Sequence, residues 1–153
     1  MLTSSHRCPA CGGKMPTKYK YPLDDLCMSL LLKIWQGVIE AGQNKINLKN
    51  LDLTYGQRSK ITQLRFHALV AKAKNEEGRH ILATWLITKR GADFLHGRIS
   101  IPKYVLTFQN EVIDHAEELI SRADFRALEN FNPTYEIIEN HLVITAMSQA
   151  KLI

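Results

Sequence analysis

The sequence predicts an α+β fold that ends in a hairpin and short helices. That prediction rests on a long apolar helix near the start, on a switch from helical to alternating spacing at Leu69, and on the polar or glycine-bearing turns that follow. The chain has 153 residues, 45% of them hydrophobic and 23% charged, which describes one ordinary globular domain with small appendages. A chain of this size buries a core without a disulfide scaffold. No apolar run approaches the roughly 18–20 residues of a membrane helix, and the opening MLTSSHRCPACGG has no apolar signal region. A cytoplasmic protein without membrane contact is therefore expected.

Residues 1–22 hold Pro9, Gly12, Gly13, Pro16 and Pro22 with little periodic apolar content, and read as a loop or knuckle. The patterned region spans 23–97, and a break at Gly97 separates it from 98–153. The first helix is expected from about Leu23 to Ala41, with Asp24 and Asp25 in the first turn, where carboxylates suit the helix dipole. Its polar residues Asp25, Ser29, Lys33, Gln36 and Glu40 form one narrow stripe. Leu26, Leu30, Leu31, Ile34 and Val38 lie to one side and Met28, Leu32, Trp35 and Ile39 to another, so this helix needs cover from two directions. The C-terminal segment or a second copy of the chain would supply it, and a homodimer is expected through this helix and the tail. Gly42 ends the helix.

Lys45 to Leu48 reads as a stub of strand, with Asn47 capping a short helix through Leu53. A helix from about Gln57 to His67 turns Ile61 and Leu64 inward. Leu69–Lys74 and Ile81–Ile87 flank the tip Asn75-Glu76-Glu77-Gly78 as a hairpin. Thr88 then caps a helix to Leu95. In the last third a hairpin turns at Gln109-Asn110, and Ser121 opens a helix through Asn130 with a pattern like a capping box. Tyr135 to Gln149 has apolar spacing suited to a helix, although Val143-Ile144-Thr145 would equally suit a strand.

The order helix, short strand, helix, helix, hairpin, helix over residues 23–97 resembles the winged-helix variant of the helix-turn-helix. The match lies in Leu64-Arg65-Phe66-His67-Ala68-Leu69-Val70 and, after a basic hairpin, in Trp85-Leu86-Ile87-Thr88-Lys89-Arg90-Gly91-Ala92-Asp93-Phe94-Leu95. Winged-helix regulators enter the wing through a Gly-Leu-Val-like step, and here Ala68 stands where glycine is usual. The chain is also similar to short proteins of phages and other mobile elements. These pair an N-terminal Cys-x-x-Cys with a winged helix and continue with a run like Ile101-Pro102-Lys103-Tyr104-Val105. The resemblance implies a winged helix-turn-helix domain behind a zinc-knuckle-like segment, and a genomic context rather than an activity.

Charge agrees with a polyanionic partner. The net charge is +5, distributed as four cations and no acid over 1–22, eleven cations against seven acids over 23–97, and five against eight over 98–153. A basic two-thirds and an acidic end suggest that one part faces a polyanion. On a winged helix, the helix from Gln57 would enter a major groove of double-stranded DNA. Arg58, Lys60, Gln63, Arg65 and His67 would meet base edges and phosphates there. Lys72, Lys74, Arg79 and His80 decorate the hairpin, with Lys89 and Arg90 just beyond, while Glu76 and Glu77 at its tip repel phosphate. The other function class that the charge pattern admits is an inhibitor of host defence proteins, anti-CRISPR included, whose acidic end docks onto a basic nucleic-acid channel.

Cys8-Pro9-Ala10-Cys11-Gly12-Gly13 can grip one side of a tetrahedral zinc ion, and His6 or Cys27 is a candidate to extend the half-site, as is the same knuckle of a second copy. A redox pair and an unmetallated loop are the other readings, the first disfavoured because no thioredoxin-like strand precedes the pair. Cys27 sits on the inner side of the first helix, where a small buried hydrophobe is the simpler role. No enzyme is expected. His67, His80, His96, His115 and His141 are scattered, Asp114, Glu117 and Glu118 read as an exposed turn, and no glycine-rich phosphate loop occurs.

Overall fold

The computed structural model describes residues 18–133, 135–138 and 141–144. The fold is α+β, with every strand pairing antiparallel among the described residues.

Helix α1 (Asp25–Ala41) starts where Asp24 accepts a hydrogen bond from the Cys27 N–H at 2.8 Å and stops at Gly42, whose φ of 67° permits the left-handed turn. Cys27, Met28, Leu30, Leu31, Ile34, Trp35 and Val38 are all buried. They lie in one apolar cluster with Leu64, Leu69, Ile87, Phe94, Phe125 and Leu128. The two-sided cover comes from within the chain: residues 126–128 pack on α1, Phe131 meets Trp35 edge-on at 5.4 Å, and the Ala127 N–H donates to Asp25 at 3.2 Å. Leu26 stays exposed, and Leu32 and Ile39 are half-buried against the cluster.

Strand β2 (Lys45–Asn47) follows, and Asn47 caps a 3-10 turn at Leu48–Asn50, shorter than the helix expected through Leu53. Residues 57–67 do not form one helix. Helix α2 (Tyr55–Ser59) is opened by a capping box in which Thr54 and Gln57 serve each other's N–H groups. Lys60 (φ −83°, ψ −7°) separates it from α3 (Ile61–Phe66). The break has a local cause: the Ser59 hydroxyl donates back to the Gly56 carbonyl, competing with the helical ladder. Strands β3 (Val70–Lys74) and β4 (His80–Ile87) form the expected hairpin, and β2 joins the far side of β4, giving the order β2-β4-β3. Helix α4 (Lys89–Leu95) is capped by Thr88, whose Oγ1 accepts from the Gly91 N–H at 3.0 Å and donates to the Ala68 carbonyl.

The C-terminal third departs most from expectation. Strand β1 (Lys18–Pro22), in a region expected to be loop, pairs with β6 (Tyr104–Phe108), which pairs in turn with β7 (Glu111–His115). The β6–β7 turn falls at Gln109 and Asn110, with φ of 51° and 64°, as expected for a two-residue hairpin. Strand β5 (Ile101–Pro102) pairs with β8 (Leu119–Ile120). The helix expected from Ser121 to Asn130 is two 3-10 turns, Arg122–Asp124 and Arg126–Leu128, because Phe125 leaves helical geometry (φ −118°, ψ 125°) and buries itself, its ring 6.1 Å from that of Phe94. The final described segment is a hairpin, β9 (Tyr135–Ile138) with β10 (His141–Ile144), not a helix. Strand β1, from the first expected segment, thus shares a sheet with β6 and β7 of the last. Among the described residues no helix is long and apolar enough to cross a membrane.

Candidate nucleic-acid interface

At the end of α3 the chain must turn sharply to enter β3. Ala68 does this in the left-handed region (φ 61°), with its N–H on the Arg65 carbonyl at 2.9 Å and the Leu69 N–H on the Leu64 carbonyl at 3.1 Å. That turn sets Arg65 beside the β3–β4 hairpin. The hairpin tip is organised by Asn75, whose carboxamide oxygen accepts from the N–H groups of Glu77 and Arg79, both at 3.0 Å. Between α3 and the hairpin lies an open cleft of about 330 Å³. Arg65, Lys72, Lys74 and His80 line it together with Thr88 and small apolar residues, and no carboxylate is among its lining residues. Lys72 also stands 6.0 Å from the Trp85 ring. Four side chains singled out in the sequence thus converge on one anion-accepting surface.

Other candidates are placed elsewhere. Arg58 and Arg79 are exposed, as are Glu76 and Glu77 at the tip. Lys60 is bound to Asp24 at 2.9 Å; burial alone would raise the Asp24 carboxyl, but the Lys60 ammonium and the Cys27 N–H outweigh it and hold it below its usual range. Lys89 pairs with Asp93 at 2.9 Å, and Arg98 holds the other oxygen of that carboxylate at 3.3 Å. Arg90 donates to the His67 carbonyl at 3.1 Å and so braces the end of α3.

Gln63 and His67 require correction as groove-facing donors. The Gln63 carboxamide donates to the Pro22 carbonyl, and the Tyr21 ring packs 4.9 Å from that of Phe66. His67 is 2% exposed, and its Nε2 is 2.8 Å from the Tyr21 carbonyl. A carbonyl only accepts, so the proton sits on Nε2, and Nδ1 is buried without a partner among the described residues. The physical reason is β1, which lies along this side of α3. Burial lowers the His67 pKa, the Tyr21 carbonyl opposes it, and Arg90 adds to the lowering. A histidine depressed in the fold contributes stability above its unfolded value near 6.5 and loses it as pH falls toward the folded value. Chemical denaturation between pH 7 and pH 5 should therefore show falling stability, and His67→Gln, which keeps a donor for Tyr21 without titrating, should flatten that slope. An unchanged slope would remove His67 as its source.

Cys8, Cys11 and His6 lie outside the described residues. Cys27 does not fit a zinc ligand: it is fully buried in the apolar cluster, and burial pushes its thiol up to about 12. Among the described residues no cluster of three or more His, Cys, Asp or Glu could hold a metal ion. Strand β1 was missed by the sequence reading, although Lys18-Tyr19-Lys20-Tyr21 alternates with the strand period of two. Comparison with known proteins finds no family model, no curated protein and no solved structure that matches this chain.

Proposed function

We propose that the chain is a winged-helix module that binds double-stranded DNA mainly through its backbone, with the β3–β4 hairpin as the wing, serving as a regulator in a phage or mobile element. The single observation that carries this is the carboxylate-free cleft between α3 and the hairpin, where Arg65, Lys72, Lys74 and His80 converge. The succession α1, β2, α2, α3, β3, β4 and the sheet order β2-β4-β3 support the winged-helix reading. Because β1 occupies the Gln63 side of α3, phosphate contact outweighs base reading here. Zinc on Cys8 and Cys11 belongs to the same proposal; metal analysis of untagged protein near one-half zinc per chain would mark a site shared by two copies.

Duplex binding that weakens with salt is the expected result in a mobility-shift titration. Arg65→Ala and Lys72→Ala should each lower affinity several-fold on any sequence and reduce the salt slope by about one. Absence of salt-sensitive duplex binding by the unaltered protein would overturn the proposal.

A protein-contact inhibitor is the second reading, favoured by Tyr55 and Leu82, 88% and 78% exposed, and by the exposed strand β7 with Glu111 and Asp114. Capture of a host defence protein that survives nuclease treatment, without duplex binding, would replace the first reading with this one.

A further inference from the structure

A second cavity lies on the other flank of α3 from the cleft, and the duplex-binding proposal does not use it. It has about 600 Å³, inside the roughly 300–1,000 Å³ typical of ligand sites, and sits where β1 and the start of β6 meet α3. Lys20, Lys60 and Lys103 line it with Asp24, Glu118, Tyr21, Tyr104 and Gln63. The carboxylates are already engaged: Asp24 with Lys60 at 2.9 Å and Glu118 with Lys103 at 3.4 Å. Lys20 is left without a carboxylate partner among the described residues, its ammonium 4.2 Å from the centre of the Tyr104 ring. The lining therefore combines one uncompensated positive charge with an aromatic floor beneath it. Tyr19, 42% exposed and 6.4 Å from the Tyr21 ring, continues the interleaving of lysine and tyrosine along β1.

We infer that this cavity binds an unpaired nucleotide of a single-stranded nucleic acid. A nucleotide in a strand brings one planar ring and one negative charge, the two features this lining answers. The base would displace the Lys20 ammonium from the Tyr104 face and stack there, while the ammonium turns to the adjoining phosphate. A base inside a duplex has both faces covered by its neighbours and cannot use the floor. A free phosphate would take the charge and leave the ring unmatched. Salt dependence and tolerance of base identity follow from charge plus stacking.

The test titrates the full chain with a short oligothymidylate and with an abasic oligonucleotide of equal length, following tyrosine emission at low salt. Oligothymidylate should bind and quench, and the abasic strand should bind about tenfold more weakly. Tyr104→Leu should lose about tenfold in oligothymidylate affinity, and Lys20→Met, which keeps the side-chain stem, should weaken binding and flatten its salt dependence. Thermal melts accompany both variants, and Lys20→Met carries the test if Tyr104→Leu does not fold. No binding by the unaltered protein, equal binding of the abasic strand, or indifference to both substitutions would overturn the inference. Duplex binding is measured alongside. If duplex binds and oligothymidylate does not, this site falls and the helix–wing cleft stands; the reverse outcome removes the cleft and keeps the site.

Discussion

Gly91→Ala should destabilise the protein by about 3 kcal/mol, lowering the thermal midpoint by roughly 10 °C. Gly91 lies in the first turn of α4, and an added methyl group would overlap the Leu69 carbonyl oxygen while standing 3.1 Å from Ile87 Cγ2. Neither neighbour can yield cheaply. The Leu69 carbonyl accepts the Thr88 N–H at 3.1 Å, the Leu69 N–H closes the end of α3, and Ile87 is wholly buried. The close approach is what lets α4 seat against the joint between α3 and β3, the joint that aims Arg65. Gly78→Ala at the hairpin tip, where φ is 81° but nothing lies within 4 Å of the added methyl, should cost only about 1 kcal/mol of backbone strain. A Gly91→Ala loss no larger than that of Gly78→Ala would show that α4 does not lean on Leu69.

Arg122→Ala should cost a similar amount, about 3 kcal/mol, through a different mechanism. The guanidinium donates to three main-chain carbonyls, those of Leu95, Leu128 and Phe131, and stands 5.5 Å from the Phe131 ring. It thus ties the end of α4 to the turns that cover α1. Removing it takes the donor from the Leu95 and Phe131 carbonyls beside apolar surface, while the Leu128 carbonyl keeps the Phe131 N–H at 3.1 Å, and an unmet buried acceptor costs more than a met one gains. Arg122→Lys keeps the charge but loses the planar fork that reaches several carbonyls at once, and should recover less than half of the loss. Urea titration measures the loss, and amide hydrogen exchange over residues 125–133 locates it. Full rescue by lysine, or loosening far from those residues, would contradict this account.

Local pattern made parts of the fold legible and non-local pairing hid the rest. The first helix and its Gly42 stop, the hairpin tip at Asn75 to Gly78 and the turn at Gln109-Asn110 each depend on neighbours within a few positions. Ala68 was visible as an alanine at a glycine's position, and its φ of 61° confirms that the turn asks for one. Strand β1 was not legible, because five residues between prolines acquire meaning only from a partner placed after α4. The same absence misplaced Gln63 and His67: spacing put them on the outer side of a helix, and nothing nearby announces that Tyr21 and Pro22 lie there. Among the basic candidates, spacing could list cations but could not separate Arg65, Lys72 and Lys74, which share a cleft, from Lys60 and Lys89, which carboxylates hold.

The pairing of Lys18 with Phe108 also bears on how the molecule assembles. The β3–β4 hairpin forms from neighbours in sequence, whereas β1 must wait for its mate β6 to be made and brought back across the chain. Until then the flank of α3 that carries Phe66 and His67 is bare, an apolar and partly polar surface open to chaperones, to other nascent chains or to the wrong strand edge. The strand pairing that comes latest along the chain is thus the one that decides which side of that helix the folded molecule shows.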